Sequence, residues 1–257
     1  MKIKVLGCYG GQLPGKNNTG FLLNDDILID GGTIALSADI KTQRKIKNIL
    51  LSHPHLDHVG AIPFFGVNVT SNKSRSVNIY GTMFTINAVK NYIMNGVIWP
   101  DFTKIKNSAG NYVFEYKTII TNKWYDIDGY KVKAIAVNHT IPTNGYIIGQ
   151  GDKYVLYSGD TKETDEIWME GKKLGDKLKA IFVETAYPDN LIELAEKSYH
   201  LTPSSLYNQL KKLGKIKPKV FIYHMKPEYE KIIEREIKKI KDYRIILTRE
   251  TKTYFII

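Results

Sequence analysis

Short apolar runs of strand length alternate with stretches of helical period along the chain. "KIKVLGC", "TGFLLN", "DILIDGG" and "IKNILLSH" have the length and β-branched content of strands. Asn24, Asp25 and Asp26 separate the second and third as a tight turn. "IALSADIKTQRK" reads as one short helix feeding the fourth strand. "TMFTINAVKNYIMNG" reads as a helix that stops at Gly96.

The second half repeats the alternation. "GYIIG" and "KYVLYSGDT" form a hairpin across Gly151 and Asp152, and "KAIFVETAY" is a further strand. "LTPSSLYNQLKKLG" opens with Thr202 as N-cap and Pro203 at the first helical position, and stops at Gly214. "KVFIYHMKP" is a strand, followed by a helix with Tyr229, Ile232, Ile233, Ile237 and Ile240 on one face. Residues 97 to 130 give no clear boundaries. No repeat or linker interrupts the series, so one α/β domain over residues 1–257 is expected.

Composition changes this picture little. Of 257 residues, 43% are hydrophobic and 25% charged, as in an ordinary globular protein. No apolar run approaches the roughly 20 residues that span a bilayer. "MKIKVLGCYGG" reads as a strand rather than a signal peptide. A single cysteine, Cys8, excludes an internal disulfide framework and points to a cytoplasmic setting. The net charge is +11, and between Lys211 and Lys241 11 Lys/Arg stand against 4 Glu. That surplus is a Lys-rich solvated face, or a surface that steers anionic ligands.

The candidate chemistry lies in the histidines. Three of the six fall in "HPHLDH", residues 53 to 58, directly after the apolar run "NILL". Along an extended segment His53 and His55 project to one side and can grip one ion, while Asp57 and His58 turn away toward a second. His139, His200 and His224 each follow an apolar run, in "AIAVNHT", "EKSYHLTP" and "VFIYHMKP", and Asp160 has the equivalent place in "VLYSGDT". Loops at strand ends are where a rigid sheet fixes side chains relative to one another. All six histidines are thus candidate site residues.

These motifs, in this order, resemble the metallo-β-lactamase superfamily. The likeness implies a four-layer αββα sandwich of two mixed β-sheets flanked by helices. It implies that His53, His55 and His139 hold one divalent metal, that Asp57, His58 and His224 hold another, and that Asp160 bridges them. Asp30, in "DGG", takes the place of a residue supporting the metal loop. Within the superfamily the chain is similar to class II cyclic-nucleotide phosphodiesterases through "HLDH" (55 to 58), "SGDT" (158 to 161), "HLTP" (200 to 203), "HMKP" (224 to 227) and, more weakly, "IWPDF" (98 to 102). It departs from that pattern after Gly60, where "AIPFFGVN" replaces a small-residue apolar stretch.

The activity so implied is hydrolysis of cAMP or cGMP to the 5′-nucleotide by a hydroxide that two metals activate. Zn²⁺ suits the ligands, and Mn²⁺ or Fe fits them too. Asp57 orients the nucleophile, His200 serves as general acid positioned by Glu184, and Lys226 contacts a phosphate oxygen. Asn138, Thr140 and Thr161 are read as loop residues, and Tyr187, Phe64, Phe65 and Trp99 as stacking faces or core. The alternative is an RNase Z-like tRNA 3′-processing endonuclease, which shares the metal set and a segment like "FVETAYP". No protruding basic arm is evident to favour it. A module that senses a cyclic nucleotide without cleaving it is a third reading, opposed by the full ligand set. The expected partner is a small cyclic nucleotide, or RNA under the alternative, with a homodimer compatible and no membrane.

Overall fold

The computed structural model describes residues 1–73 and 75–256. Among them, one sheet is formed by β1 (Lys2–Gly7), β2 (Gly20–Leu23), β3 (Ile27–Ile29), β4 (Asn48–Leu50), β5 (Val77–Gly81), β6 (Phe114–Thr118) and the late β14 (Thr253–Phe255). Its order is β14-β1-β2-β3-β4-β5-β6. The second sheet is formed by β7 (Trp124–Ile127), β8 (Tyr130–Val137), β9 (Thr143–Gln150), β10 (Lys153–Tyr157), β11 (Leu178–Glu184), β12 (Lys219–Tyr223) and β13 (Ile245–Leu247), in the order β13-β12-β11-β10-β9-β8-β7.

Both sheets are mixed. β14, β1, β2 and β3 pair antiparallel, and β3 to β6 pair parallel. β7 to β10 pair antiparallel, and β10 to β13 pair parallel. Tight turns join β2 to β3, β7 to β8 and β9 to β10; Asn24 and Asp25 take φ of 47° and 73° between β2 and β3, which small polar side chains tolerate. Parallel strands need crossovers. Here these are α1 (Ile34–Ser37) and α2 (Ile40–Gln43), α3 (Leu56–Val59) and α4 (Ile62–Val69), and α5 (Met83–Tyr92) in the first sheet. In the second they are α6 (Glu166–Lys173), α7 (Ile192–Ser198) with α8 (Pro203–Lys211), and α9 (Glu230–Ile237). The result is the expected αββα sandwich.

Three apolar layers hold it. Between the sheets, Phe21 packs edge-on against Tyr157, Phe182 and Tyr223, with centroids 5.8, 5.4 and 5.3 Å away. Ile62, Phe65 and Phe114 belong to the layer on the outer face of the first sheet. Trp168, Leu206 and Ile233 belong to the one on the second. No described helix is long and apolar enough to cross a membrane.

Two local expectations change, and two unread stretches gain structure. The single helix over "IALSADIKTQRK" is two, because Ala38 is extended and Asp39 caps α2 by accepting from Thr42 N at 2.7 Å. "AIPFFGVN" forms α4, with Pro63 in its first turn where no amide donor is needed. Tyr229 lies in a 3₁₀ turn (Pro227–Tyr229) ahead of α9, whose buried face carries Ile233 and Ile237. The unassigned stretch 97–130 contains β6 and β7, the facing edges at which the chain passes from one sheet to the other.

The parallel topology sets the place of the site. β4, β10 and β12 run into the loops bearing His53, Asp160 and His224, and β11 ends on Glu184. Ligands in open α/β sheets bind at the carboxyl ends of such strands.

Candidate metal centre

β4 leads directly into His53, and His55 occupies the N-cap position of α3, which carries Asp57 and His58. The "DGG" loop after β3 packs onto this turn. Gly31 N donates to His58 O at 2.6 Å, and a Cβ on Gly32 would fall 2.0 Å from Asp57 O. Only glycine permits that approach. Three residues here hold left-handed backbone without being glycine: Asp30 at φ 53°, Tyr199 at φ 60° and His224 at φ 64°. Such strain persists where surrounding contacts over-determine it. For His224 these are its amide, which donates to Cys8 O at 2.7 Å, and its ring, which packs against Gly10.

The ligand atoms form two groups. His53, His55 and His139 make one, with His53 Nε2 to His55 Nδ1 at 3.0 Å and His139 Nε2 to His55 Nδ1 at 3.3 Å. Asp57, His58, Asp160 and His224 make the other. Asp160 Oδ2 lies 3.0 Å from His224 Nε2, 3.2 Å from His58 Nε2 and 3.9 Å from His53 Nε2. Asp57 Oδ2 is 3.6 Å from His224 Nε2 and 3.9 Å from His58 Nε2. Asp160 therefore faces both groups.

Among the described residues, His58 Nε2, His224 Nε2 and Asp160 Oδ1 are buried with no partner in hydrogen-bond geometry, although Asp160 Oδ2 lies close to both nitrogens. Orphaned polar atoms of this kind are costly in a protein interior unless something else satisfies them. Nitrogen and carboxylate donors converging on one space meet the needs of divalent cations, and the residues fit that role.

The far ring atoms are tied down from behind. Asp30 is fully buried. Its Oδ2 accepts from Ser52 Oγ at 2.7 Å and Tyr157 OH at 2.6 Å, and lies 2.7 Å from His58 Nδ1. Its Oδ1 accepts from Ser52 N at 2.8 Å. Ser52 Oγ also reaches His53 Nδ1 at 2.9 Å, so one carboxylate orients an imidazole in each group. Thr19 Oγ1 lies 3.1 Å from His224 Nδ1, and the Tyr199 carbonyl 3.1 Å from His139 Nδ1. Sequence reasoning found Asp30 but missed Ser52, Tyr157, Thr19 and Tyr199. Only Ser52, adjacent to His53, carried a local signal.

Burial and charge divide the histidines. Burial, then the neighbouring His58, pushes His53 well below its ordinary value. Burial also lowers His55, and brings His139 down to about 4. Burial opposes charge on His58 too, but the Asp160, Asp30 and Asp57 carboxylates outweigh it and raise His58 well above its usual range. Burial disfavours the Asp160 carboxylate, yet His224 and His58 hold it well below the normal carboxylate range. Asp57 is lowered in the same way, His58 and His224 overcoming burial.

Beside the clusters, His200 Nδ1 lies 2.9 Å from Glu184 Oε1, and both residues are buried. This leaves the His200 Nε2 edge for the metal cluster, where it groups with His139 and Asp160. Burial and the Asp160 charge raise Glu184 well above its ordinary value, and burial lowers His200. Lys226 is half-buried near Asp57, its ammonium donating to the Gly10 carbonyl.

The remaining candidates separate. Thr161 is structural: its amide donates to Glu184 Oε1 at 3.0 Å and its hydroxyl accepts from Asn138 N at 3.1 Å. Thr140 is exposed. Phe65 is core, stacked on Phe114. Phe64 is exposed against Trp99, whose Nε1 donates to Pro63 O at 3.0 Å. Tyr187 alone of the aromatic candidates stands beside His200, 6.0 Å between centroids.

Comparison with known proteins agrees with this geometry. A Yersinia pestis protein described as a probable 3′,5′-cyclic-nucleotide phosphodiesterase is 26% identical, over 89% of this chain and 79% of its own length. The structure of unliganded yeast PDE1 superposes with a TM-score of 0.80 at 19% identity, covering 98% of both chains. That of human tRNase Z, short form, superposes with a TM-score of 0.74 at 17% identity, covering 100% of this chain and 99% of the other. The metallo-β-lactamase fold protein YhfI from Bacillus subtilis superposes with a TM-score of 0.77 at 16% identity, covering 99% of both chains, and at such identities these structures establish the shared fold. The model of the class-II cAMP phosphodiesterases matches residues 35–228, and the chain belongs to that family of hydrolases.

Proposed function

We propose that the chain, acting as one hydrolase domain over residues 1–257, opens the cyclic phosphate of cAMP or cGMP to give the 5′-nucleotide. The observation that carries this reading is the position of Asp160, whose Oδ2 faces His58, His224 and His53 at once, beside the buried Glu184–His200 pair. His53, His55 and His139 would hold one divalent metal and Asp57, His58 and His224 the other, with Asp160 shared. When bound, such a pair activates water and neutralises charge on the phosphoryl oxygens. Zn²⁺ is the proposed ion, on the imidazole and carboxylate donors.

The chain's own residues do the rest. Asp57 orients the attacking water. His200 gives its Nε2 proton to the leaving 3′-oxygen while Glu184 returns one to Nδ1 along the 2.9 Å contact. A net-neutral pair, favoured by the raised Glu184 and lowered His200, keeps a proton in place for this transfer. Lys226 exchanges the Gly10 carbonyl for a phosphate oxygen.

The C-terminal basic surplus supports a second reading, RNase Z-like cleavage of tRNA 3′ ends. Assay of metal-loaded protein on cAMP, cGMP and precursor tRNA separates the two. Turnover of either cyclic nucleotide is expected. Cleavage of precursor tRNA with none of cyclic nucleotides would replace the first reading with the second.

A further inference from the structure

Outward from the metal cluster, three ring contacts follow one another. The His224 and His200 rings lie 5.3 Å apart, His200 and Tyr187 6.0 Å, and Tyr187 and Tyr229 6.0 Å. Tyr187 is half-buried, and its hydroxyl bonds to no group among the described residues. Its backbone is nonetheless rigidly held. Ala186 N and Tyr187 N both donate to Leu201 O, at 3.0 and 3.4 Å, and Lys226 N donates to Ala186 O at 3.0 Å. The buried Pro188 follows. A fixed aromatic face beside the proton donor, with an unused hydroxyl, has no evident part in the core.

We propose that Tyr187 is the stacking face for the base of the nucleotide substrate. The inference rests on the cyclic-nucleotide reading above and adds where the base lies. With the leaving 3′-oxygen at His200 Nε2, the ribose lies against His200, and the next side chain away from the metals is Tyr187. A base has two apolar π-faces whatever its edge, so one tyrosine ring serves adenine and guanine alike. A cleft of about 630 Å³ opens by Leu36, Leu56, Ala61 and Phe64. Neither His200 nor Tyr187 lines it, so a ribose at His200 does not place its base there.

The test compares cAMP with its abasic analogue, ribose 3′,5′-cyclic phosphate, in wild type, Tyr187→Ala, Tyr187→Phe and Phe64→Ala. Wild type should take cAMP with a kcat/KM roughly tenfold or more above the abasic analogue, the effect of losing one stacked base. Tyr187→Ala should abolish that advantage through KM and leave the abasic rate unchanged. Tyr187→Phe and Phe64→Ala should retain it. Equal losses on both substrates in Tyr187→Ala would overturn the proposal by making the ring a support for His200. So would a wild type that does not discriminate, or an advantage lost in Phe64→Ala instead. If wild type turns over no cyclic nucleotide, the reading of the reaction fails together with this one; normal turnover with an unaltered Tyr187→Ala sinks this one alone.

Discussion

Glu184 Oε1 and His200 Nδ1 lie 2.9 Å apart at the ends of different elements, one closing β11 and the other preceding α8. Replacing His200 by Ala should lower kcat about 10²- to 10⁴-fold, the usual worth of a general acid, with metal content unchanged. Glu184→Gln should move the alkaline limb of kcat to lower pH. In the native pair the transferable proton persists until pH rises through the raised Glu184 value. With Gln, His200 must carry it alone, and its value is depressed by burial. A pH–rate profile without that shift would remove Glu184 from the proposed transfer.

Metal analysis tests the shared ligand. Wild type should bind about two divalent ions per chain, as two-metal hydrolases do. Asp57→Ala should lose about one and become inactive. Asp160→Ala, whose carboxylate faces both groups, should lose both. Retention of both ions in Asp160→Ala would show that the two groups do not depend on it.

Metal binding should release protons unevenly. Asp160, Asp30 and Asp57 outweigh burial and hold His58 well above its ordinary value, which favours a bound proton that must leave before the imidazole can ligate. His53 and His139 are already neutral at pH 7. Loading the His58 group should therefore release about one proton per ion, and loading the His53 group none from these two imidazoles. Calorimetry in buffers of different ionisation enthalpy measures this directly; a buffer-independent heat for both ions would contradict it.

Gly10 supplies a test of geometry that leaves every ligand in place. A Cβ there would sit 2.6 Å from the His224 ring and 2.7 Å from its carbonyl oxygen. Gly10→Ala should displace His224, weaken the ion it holds at least tenfold and lower activity, while far-UV circular dichroism stays native. Gly15→Ala, where an added Cβ would meet nothing within 4 Å outside its chain neighbours, controls for the loop, its positive φ adding backbone strain but no contact with His224. Unaltered metal affinity in Gly10→Ala would mean that His224 has room to move.

The sequence by itself determined most strands, because apolar runs of β-branched residues are local signals, with β6, β7, β13 and β14 among those it left unread. It also determined that His53, His55, His58, His139, Asp160 and His224 follow apolar strand runs. The family resemblance also pointed to Asp30, in "DGG"; the structure shows why glycines follow it, since they let its loop approach α3. The sequence left α4 unread, since "AIPFFGVN" is apolar on nearly every side and has no period to betray a helix. Only the tertiary structure decided that Asp160 faces both groups, that Ser52 and Tyr157 share Asp30, and that Tyr187 stands by His200. Those relations depend on how β10, β11 and β12 register in one sheet, and on how that sheet packs across Phe21 onto the other. Local periodicity encodes which face of an element is apolar; the meeting of loops far apart in the chain is fixed by non-local packing.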